Sequence, residues 1–343
     1  MPKPKNRNEF RSSVADMFAH ILEEKGLEWT KEWNAGELQA PYNAITGKRY
    51  RGVNAFYLTI LSLSYGITDP RWMTMVQIMD KKHIYHPNEK WHLKAGTKAE
   101  YVEYWFPSDN GKAITWEKYR EELRSGREAG EFDFYPRYYA VFNAQDVEGI
   151  APIELGANHN EITPDELIHK ISTGMGVEIL NDGGSRAYYS PREDKVHLPL
   201  PEHFESDYAY NSTALHELGH STGHETRLNR NIKNAFGSPE YAFEELIAEM
   251  SSCFMSVNLN LTPSEDHLNN HKAYVQNWIK EIKEKPEKLM GAIKEAQNAA
   301  SYMENAAGLI TDKELSEIKD SSKSVDESSI VKAKDPREIT IEM

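Results

Sequence analysis

The chain has 343 residues, of which 39% are hydrophobic and 27% are charged, and its formal net charge is −14. This length predicts two domains with buried cores, and the composition is typical of a soluble protein. The single cysteine, Cys253, excludes an internal disulfide, and the chain lacks the apolar run of about 18 residues that a transmembrane helix requires. Residues 1–150 contain 21 basic and 21 acidic residues, so the acidic excess lies in the second half. The first half can therefore approach a polyanion more easily.

The N-terminal half begins with an amphipathic pattern and continues with strand-like segments. The pattern predicts a first helix, whose apolar positions are Phe10, Val14, Met17, Phe18, Ile21 and Leu22. Strands are predicted at 72–79, 98–106 and 137–142. The polar stretch 108–133 is expected to be an insertion or a mobile loop. These elements predict an α+β domain, a curled sheet with helices, over residues 1–146, followed by a linker at 147–163.

A turn in this half combines basic and aromatic side chains. Lys48, Arg49 and Arg51 surround Tyr50, and Asn54 is expected to cap the helix that follows. Cations beside an aromatic ring are what non-specific binding of single strands uses, with the cations on phosphates and the ring stacked on bases. A surface turn around a half-buried tyrosine explains the same residues, and the residues alone favour that alternative.

The second half contains the motif H-E-x-x-H. On one face of a helix, His216 and His220 lie one turn apart and would present two imidazoles to a single metal ion. Glu217 lies about 100° further round the helix, where a carboxylate can take a proton from a metal-activated water. Gly219 is expected to let another backbone come close, and Gly223 to end the helix in a left-handed conformation.

A third ligand is expected from the helix predicted at 240–256. Thr226 occupies the position at which one class of zincins has a third histidine. Glu245 and Glu249 lie among small residues on one helix face, which suits close packing on another helix. Glu245 is predicted to bind the metal and Glu249 to hydrogen-bond a ligand histidine. The two glutamates could exchange roles, and ordinary surface charges are the alternative.

The elements around the motif follow a recognisable plan. A capping box at Thr163 to Glu166 opens a helix to about Ser172, and short strands are predicted at 177–180, 186–190 and 195–198. Strands followed by an H-E-x-x-H helix and a carboxylate helix are the plan of a zincin peptidase. From Thr311 onward, the polar composition predicts a disordered acidic tail over 311–343. The N-terminus lacks the apolar core of a signal peptide, so a cytoplasmic location without a membrane partner is expected.

Several motifs together resemble the ArdC-type antirestriction proteins. They are P-Y-N-x-x-T-G-x-x-Y-x-G-x-N at 41–54, Trp72-Met73-Thr74 with Gln77, Val141-Phe142-Asn143, His197-Leu198-Pro199, and the H-E-L-G-H-S-T-G-H-x-x-R-L-x-R block at 216–230. The resemblance covers about residues 8–305. It implies an N-terminal single-stranded-DNA-binding domain joined to a C-terminal zincin-like metallopeptidase domain, here 164–310. The DNA-binding residues predicted on this basis are Lys48, Arg49, Tyr50, Arg51, Asn54, Trp72 and Gln77.

Two functions are expected from this combination. The first is an antirestriction protein of a mobile element that binds single-stranded DNA and uses Glu217 as the base of a zinc-dependent peptidase. Its substrate would be a peptide or a protein such as a host restriction factor. The second is a purely DNA-binding protective protein whose metal site is structural or vestigial. Zn²⁺ is the expected cofactor, with Mn²⁺ as another candidate.

Overall fold

A computed structural model describes residues 3–4, 6–26, 28–29, 39–81, 84–153, 162–182, 184–233, 238–256 and 265–323. The chain is α+β with two units, as predicted. The N-terminal unit contains, in order, α1 (Arg7–Lys25), β1 (Tyr42–Asn43), α2 (Gly52–Tyr65), β2 (Arg71–Thr74), α3 (Met75–Met79), β3 (His92–Leu93), β4 (Glu100–Asp109), β5 (Lys112–Ala113), α4 (Trp116–Arg124), β6 (Asp133–Asn143) and β7 (Val147–Glu148).

The N-terminal unit is organised around a curled five-stranded sheet. Its strand order is β1-β2-β6-β4-β5, and all neighbours are antiparallel except β1 and β2. The longest pairing joins β4 and β6, from Glu100 opposite Val141 to Ser108 opposite Asp133. We call these two paired strands the β4–β6 ribbon.

The charged stretch at 108–133 is ordered structure, so its prediction as an insertion or mobile loop was wrong. It contains β5 and α4, and Trp116 and Tyr119 of α4 pack on Phe134 of β6. Arg127 is held by Asp109 at 2.9 and 3.1 Å. Trp116, Tyr119 and Leu123 do follow a helical period, but the charged residues between them hid this short apolar stripe.

The predicted end of one strand and the predicted cap of one helix in this unit were also wrong, because hydrogen bonds of two side chains to backbone groups differ from those expected. The strand predicted at 72–79 ends at Thr74, which caps α3 in a reciprocal capping box with Gln77. Helix α2 begins at Gly52, so Asn54 lies inside it and caps nothing. Its side-chain amide instead exchanges two hydrogen bonds with the backbone of Glu103, at 2.7 and 2.8 Å.

The predicted linker begins within folded structure. Val147 and Glu148 form β7, which pairs with β3, so the N-terminal unit extends beyond residue 146. Residues 154–161 of the predicted linker lie outside the described residues. After them, Thr163 and Glu166 form the predicted capping box, and the helix that it opens ends at Met175 rather than near Ser172.

The C-terminal unit places a small sheet beside a set of helices. Its elements are α5 (Pro164–Met175), β8 (Glu178–Asn181), β9 (Tyr188–Ser190), β10 (Lys195–Leu198), α6 (Asp207–Ser221), α7 (Pro239–Ser256), α8 (Glu265–Glu284), α9 (Pro286–Ala306) and α10 (Asp312–Lys323). The strand order is β8-β10-β9, with β8 parallel and β9 antiparallel to β10. Among the described residues, no helix is long and apolar enough to cross a membrane.

The prediction of a disordered tail from Thr311 was wrong for its first part, which forms α10. Thr311 and Glu314 exchange hydrogen bonds in the manner of a capping box, and Leu315 is buried. Residues 324–343 lie outside the described residues.

One apolar core joins the two units. It contains Phe10, Val14 and Phe18 of α1 together with Leu246 of α7 and Ile293 of α9. Helix α1 packs directly on α8 and α9. Because each unit would expose part of this core if separated, the experiments described below use the full chain.

Helices α6 and α7 approach each other closely at Gly219. A Cβ atom there would lie 2.6 Å from Ser251 Oγ and 3.7 Å from Ala248 Cα, which agrees with the close approach expected from the sequence. This contact sets the distance between the two helices that carry the metal-ligand candidates.

A Gly219→Ala substitution is expected to destabilise the protein by about 1–3 kcal/mol, since the side chain would force α6 and α7 apart. Gly291→Ala in α9 is the matched control, because its Cβ would meet only Phe243 Cζ at an ordinary 3.7 Å. The control should be neutral or stabilising by about 0.5–1 kcal/mol. Urea unfolding of both variants measures this, and equal stabilities would contradict the close packing.

Candidate metal centre

Helix α6 presents the two histidines of the motif side by side. The hydroxyl of Ser206 caps the helix by accepting from the backbone N–H of Ala209. The rings of His216 and His220 are 4.7 Å apart between centroids, and their Nε2 atoms are 3.1 Å apart. The spacing of four residues therefore does what the sequence predicts, since both Nε2 atoms point to one place.

Helix α7 brings Glu245 to the same place. Its Oε2 lies 3.5 Å from His216 Nε2, and its Oε1 lies 3.6 Å from His220 Nε2. Ligands bound tetrahedrally at the usual Zn–N and Zn–O distances are about 3.4 Å apart, so these three donors fit one small divalent cation. Two imidazoles and a carboxylate also match the donor preference of zinc.

The other predicted acid on α7, Glu249, lies on the far side of His216. Its Oε1 is 3.8 Å from Nδ1 of that ring, which is the nitrogen directed away from Glu245. This is an ion-pair distance rather than a hydrogen bond. The arrangement places Glu245, and not Glu249, among the three converging donor atoms.

A second acid, Glu244, supports His220, and the sequence analysis missed it. Glu244 Oε1 lies 3.2 Å from His220 Nδ1, and Arg230 donates to the same carboxylate at 2.7 and 3.1 Å. Arg230 also donates to the carbonyl of Gly219 at 3.0 Å and to the hydroxyl of Thr222 at 2.7 Å. The chain Arg230–Glu244–His220 thus orients the imidazole from behind, as carboxylates do for metal-binding histidines.

The electrostatics of this chain agree with its geometry. Burial opposes protonation of His220, but Glu245, Glu244 and Glu217 outweigh burial and hold its pKa well above the ordinary value. Burial likewise raises the pKa of Glu244, yet hydrogen bonds from His220 and Arg230 bring it below the ordinary value. A divalent cation at the three donors would replace the proton on the histidine as the counter-charge for these acids.

Glu217 lies one residue after His216 and is buried, with 7% of its surface exposed.

Glycine at 223 follows the motif for a reason different from the one expected. Gly223 is not left-handed, since α6 ends in a right-handed cap at Thr222. A Cβ on Gly223 would instead lie 2.5 Å from Ile232 Cγ2, so the glycine admits the returning loop that carries Arg230.

Substituting Glu244 by glutamine is expected to weaken Zn²⁺ binding about 10- to 100-fold, because His220 would lose the anion that orients it. Competition with a fluorescent zinc chelator measures the affinity. Glu240→Gln is the matched control, since Glu240 is exposed in the first turn of the same helix. Unchanged affinity in Glu244→Gln would show that the contact with His220 does not support the metal.

The predicted DNA-binding residues differ in their exposure. Lys48 and Arg49 are exposed, and the other five are partly or fully buried. Arg51 donates to Glu304 of α9 at 2.9 Å, and Tyr50 packs half-buried against the shared core. The half-buried tyrosine that was left open as an alternative is therefore what the structure shows at position 50.

Three further candidates are engaged inside the fold. Trp72 is 2% exposed and belongs to the core, so its ring is not accessible for stacking on a base. Asn54 is bonded to β4, and Gln77 is bonded to Thr74 and to Asn43. The burial of Trp72 argues against a direct contact with DNA, whereas Asn54 and Gln77 are partly exposed and their contacts with DNA stay a prediction.

Comparison with known proteins identifies both units. The N-terminal domain of the anti-restriction factor ArdC matches residues 8–142, and a zincin-like metallopeptidase domain matches residues 166–295. The chain belongs to the ArdC family of antirestriction proteins. Its fold is similar to the crystal structure of the metal-free ArdC antirestriction protein from plasmid R388, with a TM-score of 0.67, 27% identity, and coverage of 88% of this chain and 98% of that one.

Another crystal structure of that ArdC protein contains Mn(II), and it matches with a TM-score of 0.65 and coverage of 88% of this chain and 99% of that one. The His216, His220 and Glu245 cluster is accordingly a divalent-metal site in a zincin-like domain. Two DNA primases named TraC from Escherichia coli are 32% and 31% identical to this chain over 87% of its length. The chain spans only 20% and 27% of those primases. The similarity extends over both units of this chain.

Proposed function

We propose that this chain protects incoming DNA of a mobile element from restriction, by binding single-stranded DNA and by acting as a zinc-dependent peptidase. The convergence of His216, His220 and Glu245, with Glu217 next to the first histidine, is the observation that carries the peptidase part. Zn²⁺ is the proposed ion, and Mn²⁺ is the alternative that the R388 relative suggests.

The residues of the centre divide the work of peptide hydrolysis. His216, His220 and Glu245 would hold the cation, which supplies Lewis acidity toward water and toward a peptide carbonyl. Glu217 would accept a proton from the attacking water and return it to the departing amine. The Arg230–Glu244 pair would keep His220 in the tautomer whose Nε2 faces the ion.

Two places near the centre suit an extended peptide. Strand β9 is an outer strand of the small sheet, and it contacts α6. A substrate segment could pair with its outer edge, which no strand of the described residues occupies, as peptides commonly pair with exposed strands. A cavity of about 440 Å³ also adjoins the Glu244–Arg230 pair, with Phe243 and Lys288 among its lining residues. This cavity has room for a substrate side chain.

The second candidate function, protection by DNA binding alone, is favoured by the burial of the centre. His216, Glu217 and Glu245 are all less than a tenth exposed, as expected for a metal site that stabilises the fold. Transfer of unmodified plasmid DNA into a restricting host separates the two candidates. Loss of protection in Glu217→Gln supports the peptidase, whereas full protection by this variant assigns the function to DNA binding.

A further inference from the structure

The β4–β6 ribbon carries aromatic side chains on one exposed face. The register places Tyr104 opposite Arg137, and alternate residues of a strand share a face, so Tyr104, Phe106, Arg137 and Tyr139 lie on the same side. We call these four residues the ribbon face. Tyr104 is 47% exposed and Tyr139 is 39% exposed. A contiguous patch of exposed aromatic surface commonly marks a binding site.

The rings of the ribbon face support one another. The Tyr104 ring lies 4.7 Å from Phe106 and 6.4 Å from Tyr139, between centroids. The guanidinium of Arg137 lies 5.1 Å from the centre of the Phe106 ring. These contacts restrict the rings while part of their surface remains open to solvent. A platform that is already ordered loses little side-chain entropy when a flat ligand stacks on it.

The opposite face of the same ribbon is covered. There, Trp116 of α4 stacks on Phe134, and Tyr138 donates to Glu103 at 3.1 Å. Arg11 of α1 lies 3.6 Å from the same Glu103 carboxylate. The ribbon therefore uses one face for its own packing, which leaves the ribbon face as the accessible side.

The charge on the ribbon face suits a polyanion. In the part of the chain that the structure describes, the Arg137 guanidinium makes no salt bridge. At the end of β4, the carboxylate of Asp109 is occupied by Arg127. Arg120 of α4 is close enough to act electrostatically on the Tyr104 hydroxyl. A cation beside exposed aromatic rings is the arrangement that binds the phosphates and the bases of an unpaired strand together.

We propose that the ribbon face is the surface on which the N-terminal unit stacks the bases of single-stranded DNA, with Arg137 contacting a backbone phosphate. This inference rests on the proposed DNA binding, but it places the base-stacking contacts on the ribbon face instead of the basic turn at 48–51. In the basic turn at 48–51, Arg51 is held by Glu304 and Tyr50 is half-buried, whereas the rings of the ribbon face are accessible.

The test measures binding of the full chain to a fluorescent oligothymidylate of about 20 nucleotides, which exceeds the site size of one binding module. Each base that loses its stacking partner is expected to weaken binding by about 5- to 150-fold. The variant that combines Tyr104→Ala with Tyr139→Ala should therefore lose affinity by at least about 5-fold. Tyr65→Ala is the control, since Tyr65 is 71% exposed at the end of α2 and should leave affinity unchanged. Tyr104→Phe keeps the ring and should retain most of the binding.

Salt dependence tests the role assigned to Arg137. Removing one phosphate contact by Arg137→Gln should make the plot of log affinity against log salt less steep by about 0.7 for a single strand. Duplex DNA of the same length presents no free base faces, so the tyrosine substitutions should change its binding little.

The outcomes distinguish this inference from the function on which it rests. Normal affinity in the double tyrosine variant, with a large loss in Lys48→Gln combined with Arg49→Gln, would overturn the ribbon face and leave single-strand binding intact. Failure of the wild-type chain to bind the oligonucleotide would overturn both. The proposed surface would also be refuted if the double tyrosine variant and Tyr65→Ala lost affinity to the same extent.

Discussion

Zn²⁺ at a thousand-fold excess over its dissociation constant is expected to stabilise the wild-type chain by about 4 kcal/mol, and Glu245→Ala is expected to lose most of this gain. An ion that binds only the folded protein shifts the unfolding equilibrium by mass action. The carboxylate oxygens of Glu245 lie 3.5 Å from His216 Nε2 and 3.6 Å from His220 Nε2. Its removal leaves two ligands, which hold a divalent cation far more weakly.

Thermal unfolding with and without Zn²⁺ measures this effect. The difference between the two conditions isolates the metal from the cost of the substitution itself, which removes a buried side chain. Glu240→Ala, at an exposed position of the same helix, should keep the full gain. If Glu245→Ala kept the gain and Glu249→Ala lost it, the two glutamates would have the exchanged roles that the sequence left open.

Glu217→Gln is expected to keep the stabilisation by Zn²⁺ but to slow peptide hydrolysis by about 10²- to 10⁴-fold. Glutamine has nearly the same size as glutamate and fits the same buried space, but it cannot accept a proton at neutral pH. Because Glu217 is not one of the three converging donors, metal binding should not depend on its charge to the same degree.

Cleavage of fluorescently labelled casein by the zinc-loaded chain measures the hydrolysis. Glu225→Gln, an exposed glutamate in the loop after α6, is the control and should be fully active. Undiminished cleavage by Glu217→Gln would contradict its role as the base. Intact casein with the wild-type chain would contradict a general peptidase activity.

The parts of the site that the sequence predicted are those set by helical spacing. His216 and His220 converge because four residues make about one turn, and Glu245 was predicted because it lies among small residues on one helix face. Gly219 was predicted to allow a close approach for the same local reason, and Ser251 is the residue that approaches.

The parts that were missed depend on contacts between distant segments. Glu244 was not distinguished from its neighbours because its partner, Arg230, reaches it from a loop that folds back over α6. Trp72 was predicted to contact DNA from the family resemblance, and its burial could not be foreseen because a strand gives its residues no fixed side until the sheet is assembled. The ribbon face was overlooked for the same reason, since Tyr104 and Tyr139 come together only through the pairing of β4 with β6.

Contacts between the two units explain why neither unit is expected to keep its structure alone. The helix that carries Glu245 packs by Leu246 and Met250 against the core that includes α1. Arg51 and Glu304 add a polar contact between the units, as does the hydrogen bond from the backbone N–H of Gly52 to Gln297. Truncation between the units would therefore disturb both the metal centre and the DNA-binding unit.

X-ray data collected at the zinc absorption edge from crystals of the zinc-loaded chain test the metal centre most directly. We expect one anomalous peak in contact with His216 Nε2, His220 Nε2 and a carboxylate oxygen of Glu245. A peak that does not contact all three side chains, or no peak between α6 and α7, would contradict the site on which the proposed peptidase depends.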